Sequence, residues 1–403
     1  MARYSSFKQA YRPLDLFNLL PPELLEYIFT LACFDGGRTG RSLSLVSRSV
    51  SAISKPIIYQ SLAIFNLKQA EVLATILTAT PPDDRRVVHL FVRCNYEEMY
   101  RDAIRDNEEK ERQLKKTLSP LRRLASTFSH PLSGQKVRET EIVWDHNRRE
   151  LVNANDPTPP LIENLMNIAL MRILSAISTT LQTLTVVFQA PIAGNLVSFS
   201  PSLPASISGP RPSGLTLCNL RELSITYGPD RYPVRATRLL DTFSAPLRAL
   251  KRLDLDGYYS NCPPAELLEQ ISRLAPGITH VRLPRVQSGW IQWLNPSSSI
   301  TTPASELQVL PSTVQKIYIR PPPPPPPLTL SLLHEYRTRT LTEHHALAAK
   351  DERIVLLRPE AVRDQGWKGW KFDESVDGPG WKVIEKRWIE RIQGGDGCWN
   401  REF

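Results

Sequence analysis

The chain has 403 residues, 41% of them hydrophobic, enough for two or three domains with a sizeable core. Its formal net charge is +9, but the 50 Lys+Arg are spread along the chain beside the 41 Asp+Glu. No basic cluster interleaves with aromatic residues, so charge alone makes no case for a nucleic-acid motif, and the surplus reads as a solvated surface.

Cys33, Cys94, Cys218, Cys262 and Cys398 are odd in number and scattered, without metal or redox spacing, which points to reduced, mostly buried thiols. Residues 1–15 read as an N-terminal tail without the apolar run of a signal peptide. Leu161 to Ile177 carries Glu163, Asn164, Asn167 and Arg172, so it is too polar to span a membrane and reads as a buried helix. An intracellular protein of cytoplasm or nucleus is expected.

At Leu20 the chain enters LPPELLEYIFTLACF. Proline is tolerated in a first helical turn, and Glu23 suits the positive end of the helix. Apolar residues then recur at helical spacing, with Leu24, Ile28 and Leu31 on one line and Leu25, Phe29 and Ala32 on the next. Asp35-Gly36-Gly37 ends the helix. A second short helix is predicted from about Ser42 to Arg48, showing Leu43, Leu45 and Val46, and a third from about Val50 to Lys55, ahead of Pro56. Three such helices bury little alone, so an uncovered remainder of their apolar stripe signals a partner.

LPPELLEYIF, then SLSLVSRSV, then Pro56, Tyr59, Ser61 and Leu62 in the pattern Pro-x-x-Tyr-x-Ser-Leu, together resemble the F-box-like motif common in fungal proteins. The resemblance implies that residues 16–62 form a three-helix module docking on the Skp-type adaptor subunit of a cullin-RING ubiquitin ligase, while the rest of the chain captures an unknown protein substrate. The docking candidates are Leu20, Pro21, Leu24, Leu25, Ile28 and Phe29, with Leu43, Leu45 and Val46 as a second row. Some of these must form the module's own core, and spacing does not say which. The other reading of the stretch is an ordinary helical cap on a larger domain.

Residues 63–95 open a strand–helix–strand unit: SLAIF, a helix around Lys68 to Leu77, then the apolar run Val87 to Val92 of a buried parallel strand. His89, inside that run, reads as a hydrogen-bonded core or edge residue rather than a ligand. Residues 96–160 interrupt the pattern with a charged helix and a long polar, poorly periodic insertion, in which Arg122-Arg123-Leu124-Ala125-Ser126 has the form of a basophilic kinase site.

Over 161–358 a rhythm of helices and L-x-x-L-x-x-L-x-L strands returns. Strands are predicted within 181–188, 217–226, 247–255, 278–283, 314–319 and 354–357, with helices at 161–178, 264–274 and 330–349. The pattern resembles leucine-rich repeats at irregular intervals of roughly 30–40 residues, longer than the usual 20–29. Each unit would bury its apolar face only by stacking on its neighbours. The expected fold class is therefore mixed α and β, a helical module followed by an irregular repeat-like α/β solenoid, with a conventional α/β sheet domain as the alternative.

Pro321 to Pro327 must form a short polyproline rod, read as a rigid spacer, though it also fits an SH3-type, WW or profilin ligand. Residues 359–403 hold five of the eight tryptophans, Trp367, Trp370, Trp381, Trp388 and Trp399. Trp381, Ile384, Trp388 and Ile392 share one helix face, expected to seal the open end of the solenoid.

No stretch carries a signature of catalysis. His344-His345 lack the zinc-protease spacing, Asp254-Leu255-Asp256-Gly257 lacks the later ligands of a calcium loop, and no phosphate-binding glycine loop or serine elbow occurs. The expectation is a non-enzymatic adaptor with no cofactor, no metal site and no membrane partner. Its alternative is a protein- or RNA-binding scaffold without a ubiquitin connection.

Overall fold

A computed structural model describes residues 20–95, parts of 98–117, 142–145, 150–153, 159–189, 215–227, 245–256, 264–283, 310–321, 331–357 and 380–399, with Phe243 and Leu294. The N-terminal tail, the sequence around Ser126, Pro322 to Pro327, Trp367 and Trp370 lie outside the described residues.

Three helices come first: α1 (Pro22–Ala32), α2 (Arg38–Val46) and α3 (Arg48–Ser54). Gly36 and Gly37 take φ of 74° and 93°, turning the chain sharply between α1 and α2. The Asp35 carboxylate then accepts Thr39 N–H at 2.8 Å, satisfying a donor in the first turn of α2. The second helix therefore starts earlier than its apolar residues indicate. Ser47 ends α2 and caps α3 by accepting Val50 N–H at 3.1 Å.

An eight-stranded sheet follows, all parallel, with neighbours in chain order: β1 (Ser61–Ile64), β2 (His89–Asn95), β5 (Thr183–Gln189), β6 (Glu222–Tyr227), β7 (Arg252–Asp256), β8 (His280–Arg282), β9 (Lys316–Ile319) and β10 (Ile354–Leu356). The opening strand–helix–strand unit and the later strands thus share one sheet, because β2 pairs directly with β5 across the insertion. Within that polar, poorly periodic insertion β3 (Ile142–Asp145) and β4 (Glu150–Asn153) form an antiparallel pair that its sequence pattern does not indicate.

One junction recurs along the sheet. The carbonyls of Gln60, Val88, Gln182, Arg221, Lys251 and Thr279 each accept two successive N–H groups entering the next strand. Side chains in the same turns add rungs: Thr180 Oγ1 donates to Val87 O at 2.9 Å, Asn219 Nδ2 to Thr179 O, Thr279 Oγ1 to Lys251 O at 2.9 Å, and Thr313 Oγ1 to Ile278 O at 2.7 Å. Turn carbonyls thus gain side-chain partners beside the backbone ladder.

On the first face of the sheet, Leu90, Leu184, Leu223, Leu253, Val281, Ile317 and Ile354 stand in register and are buried. Helices α4 (Leu67–Ala79), α5 (Pro159–Ala176), α6 (Pro264–Leu274) and α7 (Ser331–Lys350) cover them, through Ala74, Ile173, Ile271 and Leu347 among others, in one continuous core. Each fully buried aliphatic side chain contributes about 1.5–3 kcal/mol, so this face supplies most of the driving force.

The second face is covered differently. Helix α8 (Gly380–Ile392) and the turn Gly397–Trp399 lie on it, with Trp388 and Ile392 against Phe91 and Val187, and Trp399 against Tyr318 and Val355. The tryptophan-rich segment therefore does not seal the end of the sheet. Its apolar stripe meets a large apolar patch on that face, Phe65, Phe91 and Val187, which draws it there. Cys33 and Cys94 are buried free thiols, pushed up to about 11 and about 12 by burial, whereas Cys218 is exposed. No described helix is long and apolar enough to cross a membrane.

Candidate functional site

Of the twelve exposed large apolar side chains among the described residues, seven fall within residues 20–46. This concentration marks the three-helix module as the surface to explain. Its internal core is small: Leu25, Phe29, Cys33, Val50 and Ile57, with Leu43 and Ile53 packed against it. Gly40 lets α2 lie close, since a Cβ there would sit 2.6 Å from the Ile58 carbonyl oxygen.

The structure sorts the docking candidates. Leu25 and Phe29 face inward and are withdrawn from the docking set, because they fill the space between α1 and α3. Leu43 is half-buried against the same core. Leu20, Pro21, Leu24, Ile28, Leu45 and Val46 are exposed, Leu45 to 79% and Val46 to 63%. Two residues absent from the candidate set belong with them: Tyr27 and Leu31 are exposed to 62% and 56%. Leu24, Tyr27, Ile28 and Leu31 stand at i, i+3, i+4 and i+7, one line along the outer face of α1. Helical spacing signals both missed residues.

The module is tied to the sheet by polar contacts at its margins. Gly36 N–H donates to Ser61 Oγ at 3.1 Å, and Lys55–Asp84 (3.4 Å) and Arg86–Glu26 (3.7 Å) are exposed ion pairs of small energetic weight. Phe34 packs on His89, ring centroids 5.5 Å apart.

A second site is the polar row across the middle of the second sheet face. Ser224, Asp254 and Arg282 stand in register on β6, β7 and β8 and are all buried. Ser224 Oγ donates to Asp254 Oδ2 at 3.1 Å, and Arg282 Nε lies 3.6 Å from Asp254 Oδ1. The Asp254-Leu255-Asp256-Gly257 stretch thus places its first carboxylate in an ion pair within the sheet.

One row along, Glu222 holds the C-terminal segment. Its Oε2 accepts Arg391 Nε at 2.8 Å and its Oε1 accepts Trp399 Nε1 at 3.0 Å, with Arg252 Nη1 3.7 Å away. At the other end Arg93 lies 4.4 Å over the Trp381 ring and pairs with Glu98 at 2.9 Å. His89 lies on its strand as the sequence indicates, but one ring nitrogen departs from the expected hydrogen bonding. Burial, then the Arg391 charge, lowers its pKa to about 4, and its Nδ1 has no hydrogen-bond partner among the described residues. The His344 ring is fully buried, with Nδ1 2.6 Å from Thr340 O. No group of three or more His, Cys, Asp or Glu placed to hold a metal ion occurs among the described residues.

Comparison with known protein families, with curated proteins and with solved structures found no match.

Proposed function

We propose that this chain is a substrate-recognition adaptor of a Skp–cullin–F-box-type ubiquitin ligase, working in cytoplasm or nucleus, with an F-box-like module at residues 16–62 and a degenerate leucine-rich-repeat-like solenoid behind it. The observation that carries the reading is the bare line Leu24, Tyr27, Ile28 and Leu31 on α1. Anchors at i, i+3, i+4 and i+7 are what an amphipathic helix offers to an apolar groove. A module serving only as a cap would turn that line toward its own domain.

Leu45 and Val46 supply a second contact row from α2. The solenoid reading draws support from the strands following one another in chain order and from the junction repeated at six carbonyls. In this role the chain acts by proximity: it holds a protein substrate beside a ubiquitin-charged enzyme and asks no catalytic group of itself.

The test is a pull-down of the whole chain with the ligase's Skp-type subunit, beside the double change Leu24→Asp with Ile28→Asp. Both side chains point away from the module core, so circular dichroism should stay unchanged while affinity falls at least about a hundredfold. Failure of the unmutated chain to bind the adaptor overturns the proposal.

A further inference from the structure

The second face of the sheet is already occupied by a piece of the same chain, and the fit joins apolar packing to a specific ionic anchor. The helix-side core is continuous from α4 to β10 without any residue of α8. The apolar contacts of α8 form a separate cluster with Phe91, Val187, Phe65 and Phe34. Across the middle of the face, what holds the segment is one buried carboxylate: both oxygens of Glu222, itself 7% exposed, take guest groups from Arg391 and Trp399. Buried charge-assisted bonds of this kind give specificity, since a guest lacking the guanidinium leaves the carboxylate with only the longer ion pair to Arg252, 3.7 Å away.

The same interface also has imperfections. Trp388 Nε1 and His89 Nδ1 are buried there without a hydrogen-bond partner among the described residues. The Glu385 carboxyl is partly desolvated, which raises its pKa against the pull of Arg38, Lys382 and Arg93. Buried polar atoms left unpaired weaken a contact in proportion to their desolvation. A groove with a precise ionic anchor, an apolar seat and an imperfect resident is one that another guest can take.

We propose that the second sheet face is a binding site for a basic, tryptophan-bearing amphipathic helix of a partner protein, and that Gly380–Trp399 occupies it in cis until displaced. The guest chemistry is that of the resident: an apolar tryptophan and isoleucine line for Phe91 and Val187, an arginine for Glu222, and an indole N–H for the second carboxylate oxygen. The inference stands apart from the adaptor reading, because it concerns the sheet and not the three-helix module. The resident helix also touches that module, through Arg38–Glu385 at 3.6 Å and the approach of Trp388 to Gly36, so its displacement would alter both surfaces together.

The probe is a fluorescent synthetic peptide of residues 380–399, titrated by anisotropy into the full chain and into a full-length Arg391→Glu, Trp399→Phe variant. The weakened resident should leave the variant binding the peptide at least tenfold more tightly than the unmutated chain. A full-length Glu222→Lys chain should in turn prefer a peptide carrying Arg391→Glu over the natural one. Equal, weak binding by a variant that keeps its circular dichroism and cooperative melt overturns the proposal. So does loss of the cooperative melt in the variant, which would make the segment an integral part of the fold.

Discussion

His89 sits where the second sheet face meets the three-helix module, between Phe34 and the Arg391 charge. Its folded pKa, about 4, lies below the ordinary value of 6.5, so between those limits the unfolded chain binds a proton that the folded chain does not. Stability from this group is therefore complete above about pH 6.5 and is lost as pH falls toward 4, by on the order of 3 kcal/mol. Urea unfolding at pH 7 and pH 4.5 should show a steeper loss for the unmutated chain than for His89→Gln. Equal slopes would mean the ring is not held neutral by burial. The sequence placed His89 on a buried strand correctly, but its Nδ1 has no hydrogen-bond partner among the described residues. Hydropathy reports that a residue is inside; the polar atoms that reach it come from segments hundreds of residues away.

At the scale of elements, most of the architecture was legible because it is local. The helix 264–274 and the strands around Leu223, Leu253, Val281 and Ile317 follow from apolar period and turn residues. Start positions were less legible. The α2 helix begins at Arg38 because Asp35 and two glycines set its entry, a signal lying outside its apolar stretch. The β3–β4 pair escaped because it lies in a polar, poorly periodic stretch, where no continuous apolar run marks a strand. Gly40 gives the sharpest check on how the module is built. A methyl group there would meet the backbone of Ile58, which cannot swing aside as a side chain does. Gly40→Ala should therefore destabilise the module despite alanine's better helix propensity, by about 1–3 kcal/mol, read as a fall in melting temperature. A neutral or stabilising effect would show that α2 is not clamped on Ile58.

At the scale of the molecule, the eight-stranded sheet dominates the described residues and has two unlike faces. Because the strands of the eight-stranded sheet lie side by side in chain order, stability should grade along the sheet: β5, β6 and β7 are flanked on both sides, while β10 pairs only with β9. Hydrogen exchange should find the amides of Ile354 to Leu356 opening well before those of Leu253 to Leu255, by at least about tenfold in rate. Uniform protection from β5 to β10 would mean that the chain opens only as a unit.

The sequence by itself determined which segments of the eight-stranded sheet and its covering helices are strands and helices, and that those strands carry an apolar line on one side. Those properties depend on residues a few positions apart, and each strand has only two faces to choose from. Tertiary structure alone decided which way α1 is turned. Leu24 and Leu25 are adjacent, about 100° apart around the helix, and equally apolar, so nothing local ranks them. Contacts with Val50 and Ile57 draw Leu25 and Phe29 inward and leave Leu24 and Ile28 bare. The same holds for the tryptophan-rich helix. Its apolar stripe was plain from spacing, but its seat was fixed by Phe91, Val187 and the Glu222 carboxylate, groups that meet it only once the sheet is assembled.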